Sequence, residues 1–177
     1  MGNLVAVKRL DLLLHAAARL AAQRPGFRLV LVGDGVLREE LEALARQLAL
    51  GPAAVFAGAR PFEEIPRWLR RSRVFVMTSE MEGLPQAMIE AMSCGVPVVV
   101  PDTGDVTTIA RHGENALIVS PPTAEAFADA LGRLLDDASL HRTLSDGGLA
   151  LREQFRRDYG LEGAIAEWRK AFRLPAR

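Results

Sequence analysis

Short β-branched runs alternating with longer helical patterns predict an α/β fold: a parallel sheet covered by helices on both faces and connected by right-handed crossovers. Three observations carry this expectation. Residues 28–32 (RLVLV), 74–78 (VFVMT) and 96–100 (VPVVV) have the length and composition of buried strands. The stretches between them place apolar residues at helical spacing. Finally, residues 83–101, GLPQAMIEAMSCGVPVVVP, contain one formal charge, Glu90, as expected for elements buried on nearly every side.

Taken in order, residues 10–22 set Leu13, Leu14, Ala17 and Leu20 on one helical face. The strand at 28–32 ends in Gly33-Asp34-Gly35, and 36–49 reads as a helix with Leu37, Leu41, Leu44, Ala45 and Leu48 aligned. A short strand at 54–57 leads to a helix at 62–71 that buries Phe62, Ile65 and Leu69, then to the strand at 74–78. Pro85 suits the first turn of the next helix, where its missing N–H costs nothing. A strand at 96–100, a short helix at 107–111 and a strand at 116–119 follow, and from Thr123 the pattern is helical almost to the end. Leu161, Ala164, Ile165, Trp168 and Phe172 form a terminal amphipathic stripe, which predicts packing on the sheet domain or a dimer contact. The opening is the anomaly. Met1-Gly2-Asn3-Leu4 provides almost no strand before a glycine-containing turn, so a first strand, or a whole preceding domain, is expected to have been cut away.

Composition narrows the function. At 177 residues, 49% hydrophobic and 25% charged, the chain has the size and make-up of one soluble globular domain. Basic and acidic residues balance at 22 each, so bulk charge argues for neither nucleic acid nor an anionic membrane as partner. The single cysteine, Cys94, excludes an internal disulfide and suits a reducing, cytoplasmic compartment. His15, His112 and His141 are scattered without metal-ligand spacing, and no metal site is expected. Gly33-Asp34-Gly35 begins like a dinucleotide fingerprint, but position 38 is Arg38 and no acid follows a second strand, so a turn is the reading.

In open α/β sheets, ligands bind beyond the carboxyl ends of the strands. Glu82 and Gly83 fall there, just past the strand at 74–78, and Lys8, preceding a helix, falls on the same edge. The amides of Gln86 and Ala87 would open the next helix at the positive end of its dipole, which favours phosphate. Gly83 allows a bulky anion to approach the backbone, and Lys8 is the available cation; lysine is the minority base here, with only Lys170 besides. The acids Glu82 and Glu90 repel phosphate but accept hydrogen bonds from paired hydroxyls. Two acids flanking a cationic cradle describe a nucleotide-sugar site.

The stretch SEMEGLPQAMIEAMSCGVPVV, residues 79–99, resembles the signature of the retaining group 1 glycosyltransferases (family 4), whose E-x7-E motif precedes a helix running into A-x-x-C/A-G-x-P-V-V. The opening GNLVAVK is similar to that family's G-R-L-x-x-x-K phosphate element, LVLVGDGVLREELEALARQL and VFAGARPFEEIPRWLRRSRVFVMTS match its later blocks, and HGENALIVSP matches more loosely. The resemblance covers nearly the whole chain. It implies a Rossmann-like domain, residues 1–177, forming the C-terminal, donor-binding half of a two-domain GT-B enzyme with the N-terminal acceptor domain absent. Glu82 and Lys8 would be catalytic, Glu82 contacting hydroxyls of the donor sugar and Lys8 the diphosphate. Glu90 would hold the nucleotide ribose, and Asn3, Gly83, Leu84 and Gln86 would complete the donor site. Asn3 stands where the family usually has an arginine, so it supplies no charged fork; Arg9 and Arg60 are the candidate substitutes. Thr108 stands where many relatives carry Glu, and Ala116 replaces a common Gly. The resemblance implies no metal and no cofactor beyond a UDP or GDP sugar. The acceptor, a glycan or lipid, would be engaged through the missing domain of a cytoplasmic enzyme that can attach peripherally to a membrane.

Two other readings stay open. The chain can be a non-catalytic nucleotide- or sugar-binding module, or an inactive remnant, since catalysis needs a cleft between two halves. It can also be another Rossmann-like enzyme such as an epimerase or a phosphorylase, although a phosphorylase needs a pyridoxal-binding lysine and Lys170 is poorly placed for that.

Overall fold

Strand and helix alternate as expected in the computed structural model, which describes residues 1–159. The order is α1 (Leu10–Gln23), β1 (Leu29–Val32), α2 (Arg38–Gln47), β2 (Ala54–Gly58), α3 (Ile65–Arg71), β3 (Phe75–Val76), α4 (Gln86–Ser93) and β4 (Val98–Pro101), followed by α5 (Val106–Ile109), β5 (Ala116–Val119), α6 (Ala124–Asp136) and α7 (Ala138–Tyr159). The terminal stripe from Leu161 to Phe172, with its expected dimer contact, lies outside the described residues.

Every strand pair is parallel, yet the sheet is in two pieces: β1 beside β2, and β3-β4-β5 in that order. Residues 2–4 reach only the carboxyl end of β1, where the N–H groups of Gly2 and Leu4 donate to the carbonyls of Val32 and Asp34, each at 2.9 Å. Below that point, among the described residues, nothing pairs β1 with β3.

Helices cover both faces. Leu13, Leu14 and Ala17 of α1 pack with Leu41 and Ala45 of α2 against Leu29 and Leu31. Ala16 and Leu20 of α1 meet Phe127, Leu131 and Leu134 of α6 over Val99, Leu117 and Val119. On the opposite face, Leu69 of α3 joins Met88, Ala91 and Met92 of α4 against Val98 and Val100. Val98, Val99 and Val100 are fully buried, which explains the uncharged run in the sequence: a central parallel strand faces helices on both sides.

The expected burial of Phe62 is wrong. Residues 62–64 form a 3-10 turn ahead of α3, and Phe62 is exposed. The tighter winding, with Pro61 before it and Pro66 entering α3, takes Phe62 out of phase with Leu69.

The close packing of α7 rests on two mid-helix glycines. A Cβ on Gly147 would fall on the backbone oxygen of Glu114, and one on Gly148 would lie 3.2 Å from Met92. Alanine would raise helix propensity by about 1 kcal/mol, but a backbone carbonyl cannot swing aside as a side chain can. Gly147→Ala is therefore expected to destabilise the domain, by about 1–3 kcal/mol, as read in urea unfolding.

Candidate functional site

The loops after the carboxyl ends of β1 and β3 converge. Thr78, buried at the end of β3, donates its hydroxyl to the carbonyl of Lys8 at 2.8 Å, and the N–H of Glu80 donates to the carbonyl of Val7 at 2.9 Å. These bonds bind the 6–8 turn to the segment leading into Glu82. Arg9 closes that turn in the left-handed region, at φ 45°, with its N–H bonded to the carbonyl of Ala6. Its guanidinium is gripped by both carboxylate oxygens of Asp11 (3.1 and 3.2 Å) and by Glu80 (2.7 Å). Those bonds, Asp11 first, raise the Arg9 pKa above its ordinary value.

Within this frame Lys8 Nζ donates to Glu82 Oε1 at 2.6 Å. The Glu82 side chain is 12% exposed and that of Lys8 30%, so the pair is partly shielded from water. Both line one cavity of about 1110 Å³, together with Asn3, Leu84 and Gln86. Five of the seven expected donor residues thus share a wall, although Lys8 and Glu82 are 74 positions apart.

The other two do not line it. Gly83 sits in the connecting loop, exposed, and Glu90 lies one turn into α4, half-buried. Among the described residues Glu90 makes no hydrogen bond or ion pair; the charge it senses is the Met1 α-ammonium. Among the described residues no arginine holds it. The expectation of a free Gln86 amide is corrected: that N–H donates to the carbonyl of Leu84 at 2.8 Å, because Pro85 turns the chain tightly before α4 begins. The Ala87 amide is left without a backbone acceptor and opens the helix toward the cavity.

Neither proposed arginine substitute faces the cavity. Arg9 is committed to Asp11 and Glu80, and Arg60 lies over the Trp68 ring at 5.5 Å.

Several positioning residues escaped the sequence reading. Thr103 donates to the carbonyl of Ser79 at 3.1 Å, and the N–H of Asp105 donates to the carbonyl of Glu82 at 3.3 Å. Gly104, at φ 53°, passes so close that a Cβ would sit 2.5 Å from the Glu82 carbonyl oxygen. The loop after β4 therefore props the loop that carries Glu82. Ser79 lines the cavity and is 1% exposed, and its hydroxyl has no partner; an unmet buried hydroxyl costs about 1–3 kcal/mol until something bonds it. The glycines of Gly33-Asp34-Gly35 were legible as a turn, but not their reason: a Cβ on Gly33 would fall on the Gly2 carbonyl, and one on Gly35 would lie 2.6 Å from the Leu4 backbone.

Asp11 supplies a pH test. Burial alone would raise its pKa, but the bonds from Arg9 and the Leu12 amide outweigh that and hold it below the ordinary value. Its contribution is present above the ordinary carboxylate pKa and is lost as pH falls through the lowered one. Asp11→Asn is expected to flatten the acid limb of Tm against pH.

The family model described as glycosyl transferases group 1 matches residues 1–149. This chain belongs to that family. Among curated relatives, the D-inositol 3-phosphate glycosyltransferase of Acidothermus cellulolyticus is 33% identical over 97% of this chain and 40% of its own length. The lipopolysaccharide core biosynthesis glycosyltransferase LpsE of Rhizobium meliloti is 37% identical over 84% of this chain and 42% of its own length. The group 1 chain described here therefore spans about two fifths of such relatives. Its fold is also that of the C-terminal domain of LpcC, a group 1 glycosyl transferase from Francisella tularensis: TM-score 0.80, 25% identity, covering 91% of this chain and 84% of that one. Anabaena HepE, solved with UDP and glucose, gives a TM-score of 0.83 at 25% identity over 94% of this chain and 46% of that one. The α/β architecture of the group 1 transferases is thus the architecture of this chain.

Proposed function

We propose that residues 1–177 form the donor-binding half of a retaining glycosyltransferase that takes a nucleoside-diphosphate sugar, with UDP as the leading base. The reading rests on the Lys8–Glu82 pair at the carboxyl edge of the strands, where a cation, an acid, an unmet Ser79 hydroxyl and the free Ala87 amide surround one cavity. Similarity to HepE, which was solved with UDP-glucose as well as with UDP and glucose, supports the choice of nucleotide.

On donor binding, Lys8 turns from Glu82 to the diphosphate, and the released carboxylate accepts bonds from sugar hydroxyls. The Ala87 amide and the start of α4 bond the phosphate oxygens, and Glu90, with no protein partner of its own among the described residues, takes the ribose. Asn3, Leu84 and Gln86 line the pocket, and Gly83 keeps the loop beside it free of a side chain. As the glycosidic bond breaks, charge builds on the departing diphosphate, and Lys8 with the helix start stabilises it electrostatically. No metal or further cofactor is invoked. A glycan or lipid acceptor would bind to the partner half, in a cytoplasmic enzyme with peripheral membrane attachment as an option.

Titration calorimetry with UDP and GDP tests this: saturable binding below millimolar is expected for one of them, and no binding of either at millimolar concentration overturns it. A second reading is a nucleotide- or sugar-binding module without catalysis. Sugar transfer by the 177-residue chain alone would contradict both this second reading and the assignment of catalysis to a two-part cleft.

A further inference from the structure

Lys8 is followed at once by a side-chain-bearing residue in the left-handed region, Arg9 at φ 45°. Glycine would close the three-residue turn at 6–8 without strain. A larger residue stays in that conformation only where its surroundings over-determine it. The Arg9 side chain supplies that hold, and all three of its guanidinium nitrogens are engaged. Nε and one terminal nitrogen donate to the two oxygens of Asp11, and the other terminal nitrogen donates to Glu80. A lone surface ion pair contributes little, but a forked pair within a network fixes geometry.

The two acids belong to different elements. Asp11 lies in the first turn of α1, and Glu80 lies on the segment that runs from β3 to Glu82. Arg9 therefore ties the start of α1 to the loop that carries Glu82. It does so beside the two bonds that anchor the turn itself, from Thr78 to the Lys8 carbonyl and from Glu80 to the Val7 carbonyl. Neighbouring side chains part at this point: Lys8 lines the cavity and Arg9 does not. The four-carbon stem of a lysine leaves its ammonium free to swing, so the reach of Lys8 Nζ is set by where the backbone of the turn is fixed. A misplacement of about 1 Å is enough to spoil a contact on which a reaction depends.

We propose that Arg9 is a positioning residue of the donor site: by clamping Asp11 to Glu80 it fixes the Lys8 backbone, so that one ammonium can reach Glu82 and, on donor binding, the diphosphate. This role rests on Lys8 meeting the diphosphate, as proposed above. Arg9 touches no substrate and acts through Lys8 alone.

The test is a double-variant cycle on the 177-residue chain, read by NMR titration with UDP, which reaches millimolar affinities. Arg9→Gly removes the clamp and relieves the strained backbone, so Tm should move by no more than about 3 °C. UDP affinity should nevertheless fall about 5- to 10-fold. In a Lys8→Ala background the same change should cost less than about twofold, because the residue through which Arg9 acts is gone. Glu80→Gln weakens one bond at an exposed carboxylate and should repeat the cycle at smaller amplitude, about 2- to 5-fold; it serves in place of Arg9→Gly if that variant does not fold. A triple variant, Arg9→Gly with Asp11→Asn and Glu80→Gln, removes the uncompensated acids without restoring the clamp and should still bind weakly. Unchanged affinity in Arg9→Gly, or an equal loss with and without Lys8, overturns the proposal. Recovery in the triple variant overturns it too, since it assigns Arg9 to charge balance alone. If Lys8→Ala by itself leaves UDP affinity unchanged, the phosphate role of Lys8 fails and the role of Arg9 with it. If Lys8→Ala weakens UDP and Arg9→Gly does not, only the role of Arg9 falls.

Discussion

Lys8→Ala is expected to weaken UDP binding about 10- to 100-fold, equivalent to losing one charge-assisted bond of roughly 1.5–3 kcal/mol. The side chain is 30% exposed and bonded to Glu82 in the absence of ligand, so the full value of the phosphate contact is offset by breaking that pair. The variant also strands Glu82, whose side chain is 12% exposed, and a modest drop in Tm is expected with it. Adding Glu82→Gln removes the stranded charge: it should restore stability and leave UDP binding weak. If Lys8→Ala binds UDP as tightly as the parent, Lys8 does not meet the diphosphate; if the double variant regains binding, the single defect was one of folding.

Gly33→Val is expected to be the most damaging single change to the scaffold. Two costs combine: Gly33 occupies φ 139°, where side chains are strained, and its Cβ would coincide with the Gly2 carbonyl. Strain of about 1–3 kcal/mol and overpacking of similar size add to roughly 2–6 kcal/mol, or on the order of 10 °C in Tm for a domain of this size. Gly26→Ala separates the two costs. Gly26 also has a positive φ, 85°, but no atom within 4 Å of its Cβ position, so only the backbone term applies. If both variants lose the same stability, the close approach of residues 2–4 contributes nothing. Because Gly2 and Leu4 are bonded to Val32 and Asp34, Gly33→Val should also displace Asn3 and lower UDP affinity beyond what its stability loss explains.

Much of the fold was legible because local signals agreed with burial. Alternating β-branched and helical runs placed every strand within two residues of its position, and the uncharged stretch around Glu90 marked the central layer. Phe62 was misread because the 3.6-residue period does not hold in a 3-10 turn. The Gln86 amide was misread because the turn at Pro85, with ψ 68°, is not set by proline's fixed φ alone. Among site residues, those carrying charge were visible as candidates. Thr103 and Gly104 were not, since a loop that props another loop leaves no periodic trace.

Residue order along the chain alone settled that strands would pair in parallel between helices and that Glu82 would fall beyond a strand's carboxyl end. These follow from covalent neighbours: period, length and turn chemistry are local properties. Only the folded arrangement decided that Lys8 meets Glu82, that Glu90 stands outside the cavity wall, and that the sheet parts between β1 and β3. Those depend on groups far apart in the chain being brought within bonding distance, and the energy of such contacts is written in packing rather than in any stretch of sequence.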